Sequence, residues 1–578
     1  MLKLLKIIKP YRLVVAFIVL LIFLQVLAEL WLPTLMANIV DVGIVQGDTR
    51  YIIKLGLLML LTAAGATVCA FIASYYTARV SAKFGQTLRS RVFTQVEGFS
   101  LQEFDQLSTA SLINRTTNDI NQVQQLLTML LRLMMRAPLM CAGGIIMAVA
   151  KDARLSLVIV AAIPILALGV YWLVGKSMPL FKAVQAKLDK LNLLLRESLS
   201  GVRVIRAFNR EVYEQGRFDT ANRDFSDTAI KVNQIMATMM PLMMLVMNFT
   251  IVLIIWFGSV RIEQGGIQVG DLMAFIQYVM MILFSLLMFS MLFVMLPRAS
   301  VSAARINEVL DIIPAISDAA VTTRTKPDLR PGLGIKFEQV TFSYPGAEQP
   351  ALTNLSFTAE PGEVTAIIGG TGSGKSTLLN LISRFYDVDS GNVLVDGVDV
   401  RCWSQADLRA EIGMVPQSAL LFSGTIAENI RYGKQEATDQ EVRRAAEIAQ
   451  AAQFIDAMPD GLATVLAQGG TNVSGGQKQR LTIARALVRN PRIYLFDDSF
   501  SALDFKTDAA LRATLSREIA GATVLLVTQR VSTVLHADKI IVLEQGRLVG
   551  MGRHQELLEN CGVYHEIVES QLTGEATA

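Results

Sequence analysis

Long apolar runs alternate with charged ones over the first half of the chain, and the alternation stops near Pro297. Six apolar stretches, near residues 14–36, 55–75, 137–150, 155–175, 239–260 and 272–297, approach the roughly 20 residues that carry a helix across a bilayer core. They predict six transmembrane helices. The third is the shortest, and Arg132 and Arg136 precede it; both are expected at the aqueous boundary, reaching outward along their aliphatic stems. Residues 37–54, 151–154 and 261–271 form short links, whereas 76–136 and 176–238 are long, charged and helical in pattern. The long links hold Arg79, Lys83, Arg89, Arg91, Lys176, Arg203, Arg206 and Arg210. The positive-inside rule therefore puts them in the cytosol. Lys151 and Arg154, on a short link, run against this orientation. With an even number of spans, both termini and everything after residue 297 lie on the cytosolic side.

Residues 312–334, with Pro314, Pro327, Pro331, Gly332 and Gly334, read as a linker. Beyond it, short β-rich runs at 334–342, 364–368, 493–496, 523–527 and 540–543 alternate with helical ones, including a helix from Lys375. That pattern belongs to an α/β nucleotide-binding fold. The expected organisation is an all-α six-helix membrane domain over 1–311, a linker over 312–334, an α/β domain over 335–570 and a tail over 571–578.

Composition agrees with a chain that lives partly in lipid. Hydrophobic residues make up 52% and charged residues 18%, against roughly 25% charged in a soluble protein. The net charge of +3 gives no reason to expect a nucleic-acid partner. Cys69, Cys141, Cys402 and Cys561 lack the paired spacing of a zinc site or disulfide framework. Lys3, Lys6 and Lys9 before the first apolar run imitate a secretory leader. That run is too long for one and has no small-residue cleavage site, so it reads as a membrane anchor.

The strongest chemical signal is Gly369-Gly370-Thr371-Gly372-Ser373-Gly374-Lys375-Ser376-Thr377, between a β-rich run and a helix start. Glycines let backbone amides close around phosphate oxygens, Lys375 reaches the β- and γ-phosphates, and Ser376 can ligate Mg²⁺. Downstream, the apolar run 493–496 ends in Asp497-Asp498. A carboxylate closing such a strand can face the phosphate loop and hold Mg²⁺; an acidic pair there can also simply cap the next helix.

About 20 residues before Asp497, Asn472-Val473-Ser474-Gly475-Gly476-Gln477-Lys478-Gln479-Arg480 closely resembles the signature motif of ABC ATPases. The resemblance extends along essentially the whole chain. Six spans with two long cytosolic links, followed by one such ATP-binding domain, are similar to the multidrug-type ABC exporters. It implies that Tyr344 stacks on adenine, that Gln417 links Mg²⁺ to the membrane domain, and that 501–504, ending in Asp504, form the D-loop. It also implies coupling tips near 102–105 and 201–208 that dock on ATP-binding domains, with Phe208 inserting into a partner's groove. Arg203 and Arg206 read equally well as solvated charges.

In two places the sequence departs from hydrolysis-competent members of that family. Where they have a glutamate that polarises the attacking water, this chain has Asp498, about 1.5 Å shorter in reach. Where they have a switch histidine, it has Gln529. A neutral amide donates a hydrogen bond but cannot titrate as imidazole does. Gln468 is a softer departure before the signature. By resemblance each ATP lies between one domain's phosphate loop and the other domain's signature. Tyr344, Lys375, Asp498 and Gln529 would then form a slow site, while Ser474, Gly475, Gly476 and Gln477 complete a fast site on a homologous partner that has the glutamate and histidine. A homodimer in which Asp498 serves twice is the alternative.

Twelve of the 24 methionines fall in or beside the last two spans, among them Met240, Met244, Met281, Met288 and Met291. They suit either a surface accepting varied apolar molecules or ordinary packing. Gln25, Glu29, Asn248 and Gln277 are costly in lipid and are expected to face the interior or another helix. The expected activity is ATP-driven export of amphipathic compounds across the plasma membrane. Lipid flipping, peptide export and an ATP-gated channel-like or regulatory role are the alternatives.

Overall fold

The computed structural model describes residues 2–318 and 332–575. The chain divides into two units, one of residues 1–97 and 109–312, the other of 98–108 and 313–578. Most of the expected linker, including Pro327 and Pro331, lies outside the described residues.

Among the described residues of the first unit, six helices are long and apolar enough to cross a membrane: Lys3–Ile44, Thr49–Glu97, Thr109–Lys151, Ser156–Ser200, Glu211–Glu263 and the span Val269–Leu286 at the start of Val269–Asp311. Each predicted span is the apolar part of a longer rod. The 49 residues of Thr49–Glu97 extend about 70 Å at 1.5 Å per residue, roughly twice the hydrocarbon thickness. The long charged links are thus continuations of the membrane helices. The third helix is interrupted by π-helical turns at Arg115–Asp119 and Leu130–Met134.

The polar residues within the spans mostly find one another. Arg136 does not reach outward as expected: its Nη2 donates to both carboxylate oxygens of Glu29, at 2.8 and 3.0 Å, and Gln25 donates to Glu29 Oε1 at 2.9 Å. A carboxylate of the first helix thus pairs with one nitrogen of the guanidinium. Lys151 pairs with Asp271 at 2.6 Å, which offsets the charge that runs against the orientation rule. Beside it Asp152, buried, accepts from Arg261 at 2.9 Å. Asn248 and Gln277 are exposed within this chain. Gly144 brings the third and sixth helices together, since a Cβ there would meet Ile282 Cγ1 at 2.7 Å, a small-residue contact of the kind that packs membrane helices.

The second unit contains β1 (Ile335–Phe342), β2 (Leu352–Ala359), β3 (Val364–Gly369), β4 (Ser390–Val395), β5 (Val398–Asp399), β6 (Ile412–Val415), β7 (Gly424–Thr425), β8 (Val465–Leu466), β9 (Ile493–Asp497), β10 (Thr523–Val527), β11 (Lys539–Glu544) and β12 (Arg547–Gly552). An antiparallel sheet runs β2-β1-β4-β5, and a six-stranded sheet runs β12-β11-β3-β10-β9-β6. In the latter every neighbouring pair is parallel except β11 with β12. All five residues of β9 and of β10 are buried, as expected where helices cover both faces of a parallel sheet. The phosphate loop leaves the carboxyl end of β3, the third strand from one edge, next to the ends of β10 and β11. This is where open α/β sheets bind ligands.

The segment Gly98–Ser108 belongs to this second unit. It holds the helix Leu101–Leu107, whose start is fixed by Ser100 and Glu103 in a reciprocal cap.

Candidate nucleotide site

The phosphate loop is built from glycines whose backbones other residues could not follow. Gly372 and Gly374 have φ of +80° and +94°, and a Cβ on Gly374 would come within 2.8 Å of the Ala351 carbonyl. Gly370 and Gly372 face open space. Lys375, buried, donates to the carbonyls of Gly369 at 2.9 Å and Gly370 at 2.7 Å, folding back over its own loop. Burial lowers its pKa, an effect opposed by Asp498 and Asp497 nearby. The Oγ of Ser373 is buried and has no hydrogen-bond partner among the described residues. An orphaned hydroxyl, a buried ammonium and open glycine amides around one concavity are the donors that a polyphosphate needs.

Ser376 Oγ donates to Asp497 Oδ1 at 2.9 Å. This places two hard oxygen donors side by side, the donor set that Mg²⁺ prefers. Burial pushes the Asp497 carboxyl up, and the neighbouring Asp498 adds to the shift. Two partly desolvated carboxylates in one place fit a divalent cation.

Beyond the end of β9 the chain turns sharply. Asp498 has φ of +45°, a left-handed conformation that aspartate tolerates better than most residues, and its N–H donates to Val527 O at 2.9 Å. Burial raises its pKa, while Arg530, a hydrogen bond from Gln417 and Lys375 oppose the rise. Asp498, Gln417 and Lys375 therefore share one electrostatic neighbourhood. Gln417, exposed, follows directly on β6 through Pro416.

Gln529 lies exposed in the loop after β10. Its carbonyl accepts from Gln571 Nε2 at 2.6 Å, and Gln571 Oε1 accepts from Val531 N at 2.8 Å. Arg530, between them, donates to Ser501 O at 2.8 Å and lies over the Phe505 ring. The loop is thus held by the C-terminal helix Gly562–Glu575 on one side and by the 501–504 turn on the other. Sequence reasoning had missed both contacts. Arg530 adjoins Gln529 in the sequence, but nothing local marks Gln571.

Tyr344 is placed beside the loop: its hydroxyl lies 3.0 Å from Thr377 Oγ1, and its ring packs edge-on against Phe342 and Tyr386. Tyr386 in turn donates to Asp105 of the first loop tip at 2.7 Å, and burial together with that carboxylate raises its pKa. One aromatic cluster therefore touches both the phosphate loop's helix and the tip.

The signature residues form a separate feature. Ser474 Oγ accepts from Gln477 N at 3.3 Å, and Gln477 Oε1 accepts from Ser474 N at 2.9 Å. This reciprocal cap fixes the start of the helix Gly475–Leu487. Ser474 and Gly475 are exposed, so the positive end of a 13-residue helix is offered outward. Gly476 lies against the 501–504 turn, where a Cβ would meet Ala502 O at 3.2 Å. Asp504 caps the next helix, accepting from Thr507 N at 2.9 Å and Thr507 Oγ1 at 2.8 Å. In the first unit, the tip helix Val202–Ala207 leaves Phe208 72% exposed.

Comparison with known proteins agrees with this architecture. A family model described as the ABC transporter transmembrane region matches residues 15–287, and one described as ABC transporter matches residues 352–501. An uncharacterised ABC transporter ATP-binding protein of Mycobacterium tuberculosis (strain ATCC 25618 / H37Rv) is 45% identical across 98% of this chain and 97% of its own length. An ATP-dependent lipid A-core flippase of Thiobacillus denitrificans is 32% identical across 99% and 98%. The solved structure of a bacterial Atm1-family ABC exporter with ATP bound superposes with a TM-score of 0.80 at 27% identity, covering 98% of both chains.

Proposed function

Because this chain belongs to the ABC transporters, joining a multi-pass membrane region to an ABC ATP-binding domain in the fold of an exporter, we propose that it exports amphipathic small molecules as the catalytically degenerate subunit of a heterodimer. The observation that carries this reading is the pairing of Asp498 and Gln529 around an otherwise intact phosphate cradle, in a chain whose signature helix is capped and exposed.

In the cradle, the amides of Gly370 to Gly374 and the Lys375 ammonium bind the phosphates, and Tyr344 stacks on the base. Ser376 and Asp497, with Gln417, would hold Mg²⁺, which when bound supplies positive charge against the β- and γ-phosphates. Hydrolysis needs a base that takes a proton from water as it attacks the γ-phosphorus. The Asp498 carboxylate stands one methylene short of the family's glutamate, and a misplaced base forfeits about 10²- to 10⁴-fold in rate. Gln529 can donate to the γ-phosphate without exchanging a proton. This site retains ATP. The exposed helix start at Ser474 to Gln477 completes the faster site of a homologous partner that has glutamate and histidine. Phe208 and the second tip dock on that partner, and the long links and ATP-binding domain face the cytosol from the plasma membrane.

Homodimeric lipid flipping is the second reading, favoured by the flippase among the relatives. An ATP-gated channel-like role is the third. Sealed inside-out vesicles carrying the assembled transporter test export: an amphipathic dye should accumulate inside only with ATP and Mg²⁺. Equilibration of the dye without accumulation would contradict pumping.

A further inference from the structure

The membrane unit contains a cavity of about 300 Å³ bordered by Glu29, Arg136, Met140, Met281, Phe284 and Met288. Its volume is at the lower end of the range typical of small-molecule clefts. Two other membrane-unit cavities are larger; one has an uncharged wall, and the other borders a cation, Lys176, with no carboxylate beside it. This one ends in a paired charge, Glu29 with Arg136.

That end is asymmetric. Glu29 is nearly satisfied: its two oxygens accept from Arg136 Nη2, and one also accepts from Gln25. Its side chain is 21% exposed against 46% for Arg136. Arg136 uses a single nitrogen in the pair, and its Nε and Nη1 have no acceptor among the described residues. Guanidinium donors form a planar fork suited to two oxygens of one carboxylate or phosphate. With 46% of the side chain exposed, that edge of the guanidinium is open to an arriving acceptor. Ser285, on the same wall, already donates to Ile282 O at 2.8 Å and does not compete for the ligand. The remaining walls are methionine and phenylalanine, which adapt to an alkyl or aromatic body.

We infer that this cavity is a substrate site for amphiphiles with an anionic oxygen head, carboxylate or phosphate, the head placed on the free edge of Arg136 and the apolar body among Met140, Met281, Phe284 and Met288. The inference rests on the transport reading above and narrows its substrate class. Glu29 holds the guanidinium in place and tempers its charge, so that the anion binds yet can leave.

The test uses the full-length chain in phosphatidylcholine nanodiscs. A photoactivatable twelve-carbon chain is titrated bearing a carboxylate, phosphate, trimethylammonium or alcohol head, and a two-chain phosphatidate distinguishes a lipid source from a soluble one. The anionic heads should bind at least about tenfold tighter than the ammonium, the least expected of a hydrogen bond to a charged group. They should also label residues of the Arg136 cavity. Arg136→Gln should erase the head-group preference while the alcohol's affinity stays, and Glu29→Gln should strengthen anion binding. Glu29→Arg combined with Arg136→Glu retains the ion pair, so a folded protein is testable even if the single variants fail to fold; it should turn the preference toward the ammonium. Binding without preference, or an equal loss for all heads in Arg136→Gln, overturns the inference and leaves the transport reading standing. Failure of all four heads to bind the unaltered chain also overturns the inference, whereas the transport reading falls only if the assembled transporter fails to accumulate dye in vesicles.

Discussion

At the scale of single residues, the proposed site combines a phosphate cradle with Asp498 and Gln529 at its reacting end. Asp497 and Ser376 share a hydrogen bond, and burial raises the Asp497 pKa. Mg²⁺ binds the carboxylate form. As pH falls, Asp497 gains its proton sooner than a free aspartate would, so Mg²⁺-dependent ATP binding should weaken at a higher pH than for an unperturbed carboxylate. Titrating Mg²⁺-ATP affinity against pH measures this, and Asp497→Asn should remove both the Mg²⁺ dependence and the pH response. Asp498 carries a similar rise on a left-handed backbone. Lengthening it alone, Asp498→Glu, should raise this site's hydrolysis only modestly without Gln529→His, because the two positions act together on one γ-phosphate. Single-turnover hydrolysis with the partner's own site disabled separates the two effects.

At the scale of elements, three supports hold the reacting loops. The C-terminal helix pins the loop around Gln529 through the two hydrogen bonds of Gln571. Each is worth roughly 0.5–1.5 kcal/mol net, so Gln571→Ala should lower ATP-over-ADP preference severalfold with little loss of ADP affinity, as read by equilibrium nucleotide binding. The cap on the signature helix is the second support. Ser474→Ala removes the oxygen accepting from Gln477 N and should cost about 1 kcal/mol of local stability, visible as faster amide exchange over 475–478. The third is the Tyr386–Asp105 contact at the first tip; Tyr386→Phe should leave ATP binding intact and reduce the stimulation of ATPase by transported compounds.

These elements also show what the sequence made legible. β3, β9, β10 and β11 were readable because a parallel sheet covered on both faces demands continuous apolar runs such as Val364 to Ile368. β2 and β4 are not legible because antiparallel strands with one wetter face carry residues such as Asn354, Ser356 and Asn392, which blur an apolar run. Spans 1 to 6 were visible by length and hydropathy. That the long links continue the same rods was not, since beyond the lipid a helix needs only a narrow apolar stripe. The phosphate loop was legible because its spacing is local. The Gln571 clamp and the Glu29–Arg136 pair join residues 42 and 107 positions apart, a separation that no single-sequence pattern encodes.

At the scale of the whole molecule, a membrane region, a phosphate cradle with a weakened base and an exposed signature helix occupy one chain. On the proposed reading the cradle binds ATP by itself, its completion needs a second signature, and this chain's exposed signature is offered to another cradle. On that reading, rapid turnover is a property of the assembled pair. The central claim is tested most directly by steady-state ATPase of the purified full-length chain alone, with ATP binding measured on the same sample. The account predicts clear Mg²⁺-dependent ATP binding with turnover about 10²- to 10⁴-fold below that of the chain assembled with a glutamate- and histidine-bearing partner. Robust turnover by this chain alone, as a homodimer, would contradict it.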